Sequence, residues 1–77
     1  MTRIEIADLG APATLGTWHV RVGDRVREGD RVAEVLIAGA AIDVSAPASG
    51  TLAERTARAG DPLPPGTVIG TISDEEF

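Results

Sequence analysis

Side chains able to do covalent chemistry are scarce in this chain of 77 residues, and the missing types matter most. There is no Lys and no Cys, and all seven basic residues are Arg, so no side chain supplies an amine or a thiol. His19 is the single histidine. Alone it builds no metal centre, and a hydrolytic triad is recognised by geometry, not by the presence of Ser, His and Asp in one chain. Ser45, Ser49 and Ser73 fall in strand or turn contexts, unlike a serine that opens a helix to carry a phosphopantetheine arm. The sequence therefore predicts no catalytic residue, no metal site and no cofactor. What remains is a surface feature. The run Leu36-Ile37-Ala38-Gly39-Ala40-Ala41 is wholly apolar, and a contiguous apolar projection marks a candidate contact surface.

Composition narrows the classes further. A net charge of -5 and only two aromatic residues, Trp18 and Phe77, exclude a nucleic-acid partner, which needs a basic face and stacking rings. No run approaches the ~18 apolar residues of a membrane span, and the N-terminal MTRIEI lacks the regions of a signal peptide. The expectation is a cytoplasmic protein with no membrane partner. Residues 1–73 read as one small domain and 74–77 as an acidic tail. A chain this short buries only about 60% of its extended surface on folding. With no disulfide or metal to staple it, stability must come from strand pairing and apolar packing.

The elements that would hold such a surface are strands. Short β-type runs recur between Gly, Asp and Pro punctuation: residues 3–7, 14–20, 31–37, 40–44, 50–57 and 67–72. Ile4-Glu5-Ile6 alternates apolar and polar, as a strand with one face in water does. No segment sustains helical periodicity. Within this pattern His19 reads as a partly exposed strand residue beside the inward-facing Val20, and Trp18 as part of the core or barrel edge. Arg21, Arg25, Arg27 and Arg31, interleaved with Asp24, Glu28 and Asp30, read as a solvated face of mixed charge.

The strongest internal signal is a repeat at an offset of 37 residues. It pairs Thr14-Leu15 with Thr51-Leu52, Arg21 with Arg58, Gly23-Asp24 with Gly60-Asp61, and Gly29 with Gly66. Val26, Val32 and Val35 fall on Leu63, Ile69 and Ile72. Two copies are too few for a solenoid. They fit two interlocked halves related by a pseudo-two-fold axis, each delivering a strand from a Gly-Asp turn whose glycine takes positive φ and whose aspartate caps the turn. On that axis Ala38-Gly39 occupies the place the termini occupy in the other half, so the tip and the termini are expected at opposite ends. Glycine at the third position of the turn 37–40 predicts a type II turn.

Together IEIADLG (4–10), TWHVRVGDRVREGDRVAEV (17–35), APASGTL (46–52) and AGDPLPPGTVIGTI (59–72) resemble the lipoyl domain of the E2 acyltransferase component of 2-oxoacid dehydrogenase complexes, within the biotinyl/lipoyl-attachment family. The resemblance implies an all-β flattened barrel or sandwich of two four-stranded antiparallel sheets. It also implies a hairpin whose E-T-D-K-A motif presents a lysine for lipoate or biotin. Counted along this chain the motif falls on Leu36–Ala40, and the lysine position is Gly39. The family's acidic positions before the lysine hold Leu36 and Ala38. A deliberate replacement of the lysine would leave those neighbours intact, so divergence of the whole hairpin is favoured. The expected function is that of a degenerate, non-lipoylated and non-biotinylated lipoyl-like domain, not an enzyme, acting as an interaction or scaffolding module. The expected partner is an E2-type acyltransferase or a related multienzyme assembly, through Leu36, Ile37, Ala38, Gly39, Ala40 and Ala41. The alternatives are a vestigial N-terminal domain of an acyltransferase, or a true lipoyl carrier whose acceptor lysine has been replaced by engineering.

Overall fold

The computed structural model describes residues 1–74; positions 75–77, read above as most of the acidic tail, lie outside them. The described strands are β1 (Thr2–Glu5), β2 (Ala13–Trp18), β3 (Arg25–Val26), β4 (Arg31–Ile37), β5 (Ala40–Ser45), β6 (Gly50–Arg55) and β7 (Val68–Asp74). They form two antiparallel sheets, in the orders β1-β7-β6-β3 and β2-β4-β5. Among the described residues no helix is long and apolar enough to cross a membrane.

The all-β fold of two packed sheets is as the sequence implies, but the second sheet has three full strands. Its fourth position is held by a single bridge between Thr14 and Pro62. Leu15 N–H donates to the Asp61 carbonyl at 3.0 Å, and Leu63 N–H to the Ala13 carbonyl at 2.8 Å. The same place in the first sheet is β3, where Gly23 N–H donates to Leu52 O and Leu52 N–H to Asp24 O. In the repeat, Pro62 and Pro64 stand where the first half has Arg25 of β3 and Arg27 of the turn that follows. β3 itself was read from the sequence as part of a turn.

Local hydrogen bonds make the repeated turns. Gly23, Gly29, Gly60 and Gly66 have φ of +99°, +91°, +92° and +83°, the region that glycine enters without steric cost. The backbone N–H groups of Arg21, Arg27 and Arg58 donate to the carboxylates of Asp24, Asp30 and Asp61 at 2.8–2.9 Å. Each aspartate N–H donates back to the carbonyl of that arginine. In the fourth turn the repeat puts Pro64 where Arg27 stands, so no N–H is there to be accepted. Thr67 replaces the aspartate, and its hydroxyl donates to the Pro64 carbonyl at 2.6 Å.

Bulges then aim the core. The β4–β5 register shifts between Arg31 and Ala33, and the β1–β7 register shifts opposite Ile69. Each shift inserts one extra residue, Val32 or Ile69, so that two consecutive positions face inward. Val32, Ala33 and Val35 are fully buried, as are their repeat partners Ile69 and Ile72. With Ile4, Leu15 and Leu52 they form the centre of one core between the sheets. Val20 packs against that core, as expected, and so does Trp18, whose indole N–H donates to the Ala57 carbonyl at 3.0 Å and ties the end of β2 to the chain beyond β6.

The first two residues meet the end of β7 in the first sheet. Asp74, assigned to the tail from sequence, is the last residue of β7; it pairs with Gly50, accepts the Thr2 hydroxyl at 2.6 Å and lies 3.4 Å from the Met1 ammonium. The Thr2 hydrogen bond, with the Met1 charge beside it, holds its carboxyl below the ordinary value. A carboxyl with a lowered folded pKa stabilises above its unfolded pKa and loses that contribution as pH falls through the folded value. Asp74→Asn should therefore destabilise at pH 7, with the gap to the parent closing below about pH 4; urea titrations at pH 7 and pH 2.5 measure it.

Gly50 is required for a different reason. A Cβ there would overlap the Ser73 carbonyl oxygen and come within 2.8 Å of Ile72 Cγ2. Gly50→Ala must push β6 off β7, and should cost about 2 kcal/mol in urea unfolding.

Candidate functional site

The hairpin singled out from the sequence is β4–β5, with Leu36 opposite Ala41 and Ile37 opposite Ala40. Its two-residue connection has Ala38 at φ +45° and Gly39 at φ +82°. Positive φ at both central positions makes a type I′ turn rather than the type II turn expected. The twist of a two-residue hairpin favours that choice, because types I and II splay the strands. Ala38 thus occupies left-handed backbone that an L residue with a Cβ enters at a cost of about 1 kcal/mol.

Alternation divides the predicted contact residues. Ile37 is 9% exposed and belongs to the core, so it is removed from the candidate surface. Leu36 points outward, 45% exposed, and lies across the bare backbone of Gly16, where a built Cβ would meet its Cγ at 3.1 Å. Its cross-strand partner Ala41 is exposed on the same face, and Ala38, Gly39 and Ala40 are exposed at the tip. Ile42, outside the predicted set, is 41% exposed on β5, the edge strand. A Cβ on Gly39 would meet nothing within 4 Å. The tip therefore constrains only the backbone at that position, not the space for a side chain.

The pairing of Ala13 with Ile37 brings a second apolar feature alongside. A groove of about 320 Å³ is lined by Ala11, Pro12, Ala13, Pro62, Leu63 and Pro64, among others. Sequence reading treated these prolines as turn punctuation. Their convergence depends on the bridge at Pro62, which no local pattern announces.

Other polar side chains meet on the surface of the second sheet. His19 faces Glu34 at 4.0 Å, and Arg31 faces Asp43 at 3.4 Å. The ligand atoms of His19, Glu34 and Asp43 lie within 4.8 Å of one another. They come from beside β2, from β4 and from β5, so the sequence, which offered His19 no companion ligands, could not show the group. His19 and Arg31 each face one of the two carboxylates, and the four side chains make a surface cluster of the kind that contributes little to stability. Ser45 is on β5 and Ser73 on β7, while Ser49 accepts the Glu28 N–H at 3.0 Å.

The two-sheet frame, the Gly-Asp turns and the projecting hairpin define a class of small attachment domains. The profile of the biotin/lipoyl family, described as biotin-requiring enzyme, matches residues 2–72, and the chain belongs to this family. The chain is 35% identical over 57 residues, 74% of its length, to the dihydrolipoyllysine-residue acetyltransferase component of the acetoin cleaving system of Bacillus subtilis. It is 31% identical over 77 aligned positions, 96% of its length, to the acetyltransferase component of the pyruvate dehydrogenase complex of Acholeplasma laidlawii. It spans only 14% of each of those relatives. The solution structure of the lipoyl domain of the 2-oxoglutarate dehydrogenase complex from Azotobacter vinelandii superposes with a TM-score of 0.81 at 23% identity, covering 99% of this chain and all of that one. That likeness supports the two-sheet fold.

The tip geometry carries its own test. Ala38→Asn places the residue best suited to the first position of a type I′ turn before Gly39. It should stabilise by about 0.5 kcal/mol, read as a higher urea midpoint with an unchanged m-value.

Proposed function

We propose that this chain is a non-carrying lipoyl-type domain that works as a protein-interaction module. The observation that carries the reading is the tip itself: the Ala38-Gly39 turn stands where the family resemblance puts the acceptor lysine, in a chain with no lysine at all. Amide attachment of lipoate or biotin needs a primary side-chain amine, and none exists. In place of charge the hairpin presents Leu36 and Ala41 on its outward face, Ala38 at its tip, and Ala40 and Ile42 on the face that Ile37 and Val35 share with the core, with the proline-lined groove beside it. A small apolar surface of this kind is suited to a standing protein contact. The domain has no catalytic role of its own in this reading. Its partner is an E2-type acyltransferase or a related multienzyme assembly, since the curated relatives are components of such systems. The setting is the cytoplasm of a bacterium.

A second reading has one supporting observation. The domain corresponds to a small part of much longer acyltransferase components, so it also fits a vestigial domain that helps to position an acyl group at a catalytic core. A catalytic acyltransferase domain encoded in the same reading frame would favour this reading.

Co-production with a lipoate ligase, and separately with a biotin ligase, should leave the intact mass unchanged; a lipoyl or biotinyl increment would sink the non-carrier reading. Leu36→Asp should leave the fold intact, because the side chain lies outside the core, and weaken association with the native acyltransferase at least tenfold. A folded variant that associates as tightly as the parent removes the hairpin from the interface.

A further inference from the structure

Away from the hairpin, the end of β2 and the end of β6 enclose a pocket of about 370 Å³ lined by Thr17, Trp18, Arg55, Ala57, Arg58 and Ala59. Trp18 pairs with Ala33, five residues along β2 from the Ala13–Ile37 pair that adjoins the tip. The pocket and the apolar hairpin are therefore separate surfaces.

Its chemistry runs against that of the whole chain. The protein carries a net charge of -5, yet the pocket lining contains two guanidinium groups and no carboxylate. Among the described residues neither Arg55 nor Arg58 forms an ion pair. The Asp61 carboxylate accepts the backbone N–H of Arg58 at 2.8 Å, holding that residue in its turn. The indole of Trp18 is pinned by its hydrogen bond to Ala57, and the Arg55 guanidinium lies 5.8 Å from the ring centroid. A guanidinium against an indole face keeps its in-plane N–H donors available for a planar anion. The repeat sharpens the point: Thr17 stands where the other half has Glu54, so the carboxylate carried at one of two equivalent positions is replaced beside the arginines by a hydroxyl.

We propose that this pocket binds a carboxylate group, its oxygens held by Arg55 and Arg58 and its apolar stem lying against Trp18. Arginine is suited to this because its fork of donors matches a carboxylate in two parallel hydrogen bonds. The pocket is large enough for one acidic side chain or one small organic acid, not for an extended ligand. A free organic acid and an acidic residue of a protein segment share this chemistry.

Trp18 is the only tryptophan and there is no tyrosine, so intrinsic fluorescence reports on this pocket alone. The experiment titrates the intact chain, at constant ionic strength, with acetate, with the capped tripeptide Gly-Glu-Gly and with its Gly-Gln-Gly counterpart. Calorimetry is run in parallel, because Arg55→Gln itself changes the surroundings of the indole. The expected result is a saturable change with the carboxylate probes, at least tenfold weaker binding of the Gln peptide, and at least tenfold weaker carboxylate binding by Arg55→Gln and Arg58→Gln, both with parental far-UV spectra. Partial recovery in Arg58→Lys would separate charge from packing. Equal affinity for acetate and the Glu peptide assigns the site to free acids, whereas a peptide preference of tenfold or more assigns it to a protein segment. The proposal is overturned by the absence of saturable binding, by equal binding of Glu and Gln peptides, or by undiminished binding in Arg58→Gln.

Discussion

Each half of this chain completes the other half's sheet, and the rest of the structure depends on that exchange. The central pair of the first sheet, β6 and β7, comes from the second half of the sequence and is flanked by β1 and β3 from the first. In the other sheet β2 and β4 from the first half are flanked by β5 and the Pro62 bridge from the second. Neither half can satisfy its edges alone, and an unpaired edge exposes backbone donors and acceptors. A chain with a thin core and no cross-links thus gains a cooperative fold from pairing distant segments, at the cost of forming non-local contacts early.

This interlock keeps the hairpin in place whatever its tip carries. β4 is held on one side by β2 and on its inner face by the core, through Val32, Ala33, Val35 and Ile37. None of these anchors involves the tip. The turn asks for positive φ at Ala38 and Gly39, and a Cβ at Gly39 would meet nothing within 4 Å. Outward positions one step away, Leu36 and Ala41, are free in the same way because alternation points them from the core.

Much of this architecture was legible in the sequence because it rests on local chemistry. The four turn glycines and the aspartate caps at Asp24 and Asp61 are local patterns, and the offset of 37 residues related them to one another; the cap at Asp30, read as part of a solvated face, has Thr67 at its repeat position and was not foreseen. What stayed hidden depends on register. Ile37 reads as part of an apolar run, but a bulge at Val32 fixes which alternate residues of β4 face inward. β3 is too short to show a period, and Pro62 discourages a strand reading where a bridge forms. The type of the tip turn was misread because one glycine fits both geometries; hairpin twist decides between them, with Ala38 absorbing the strain. Trp18 and Arg55, from β2 and β6, become neighbours only once the two sheets pack, and His19, Glu34 and Asp43 only once β2, β4 and β5 are paired.

The meeting of Met1 and Asp74 in the first sheet has a bearing on the order of the chain itself. Under the pseudo-two-fold relation the meeting of Met1 with Asp74 and the Ala38-Gly39 turn are equivalent places, the second closed by two residues. The architecture is therefore indifferent to which of the two is covalently joined. A chain joined from Asp74 to Met1 and opened at the turn would trace the same barrel with its halves in reverse order. In that molecule the surface now displayed as a continuous loop would become a pair of free ends.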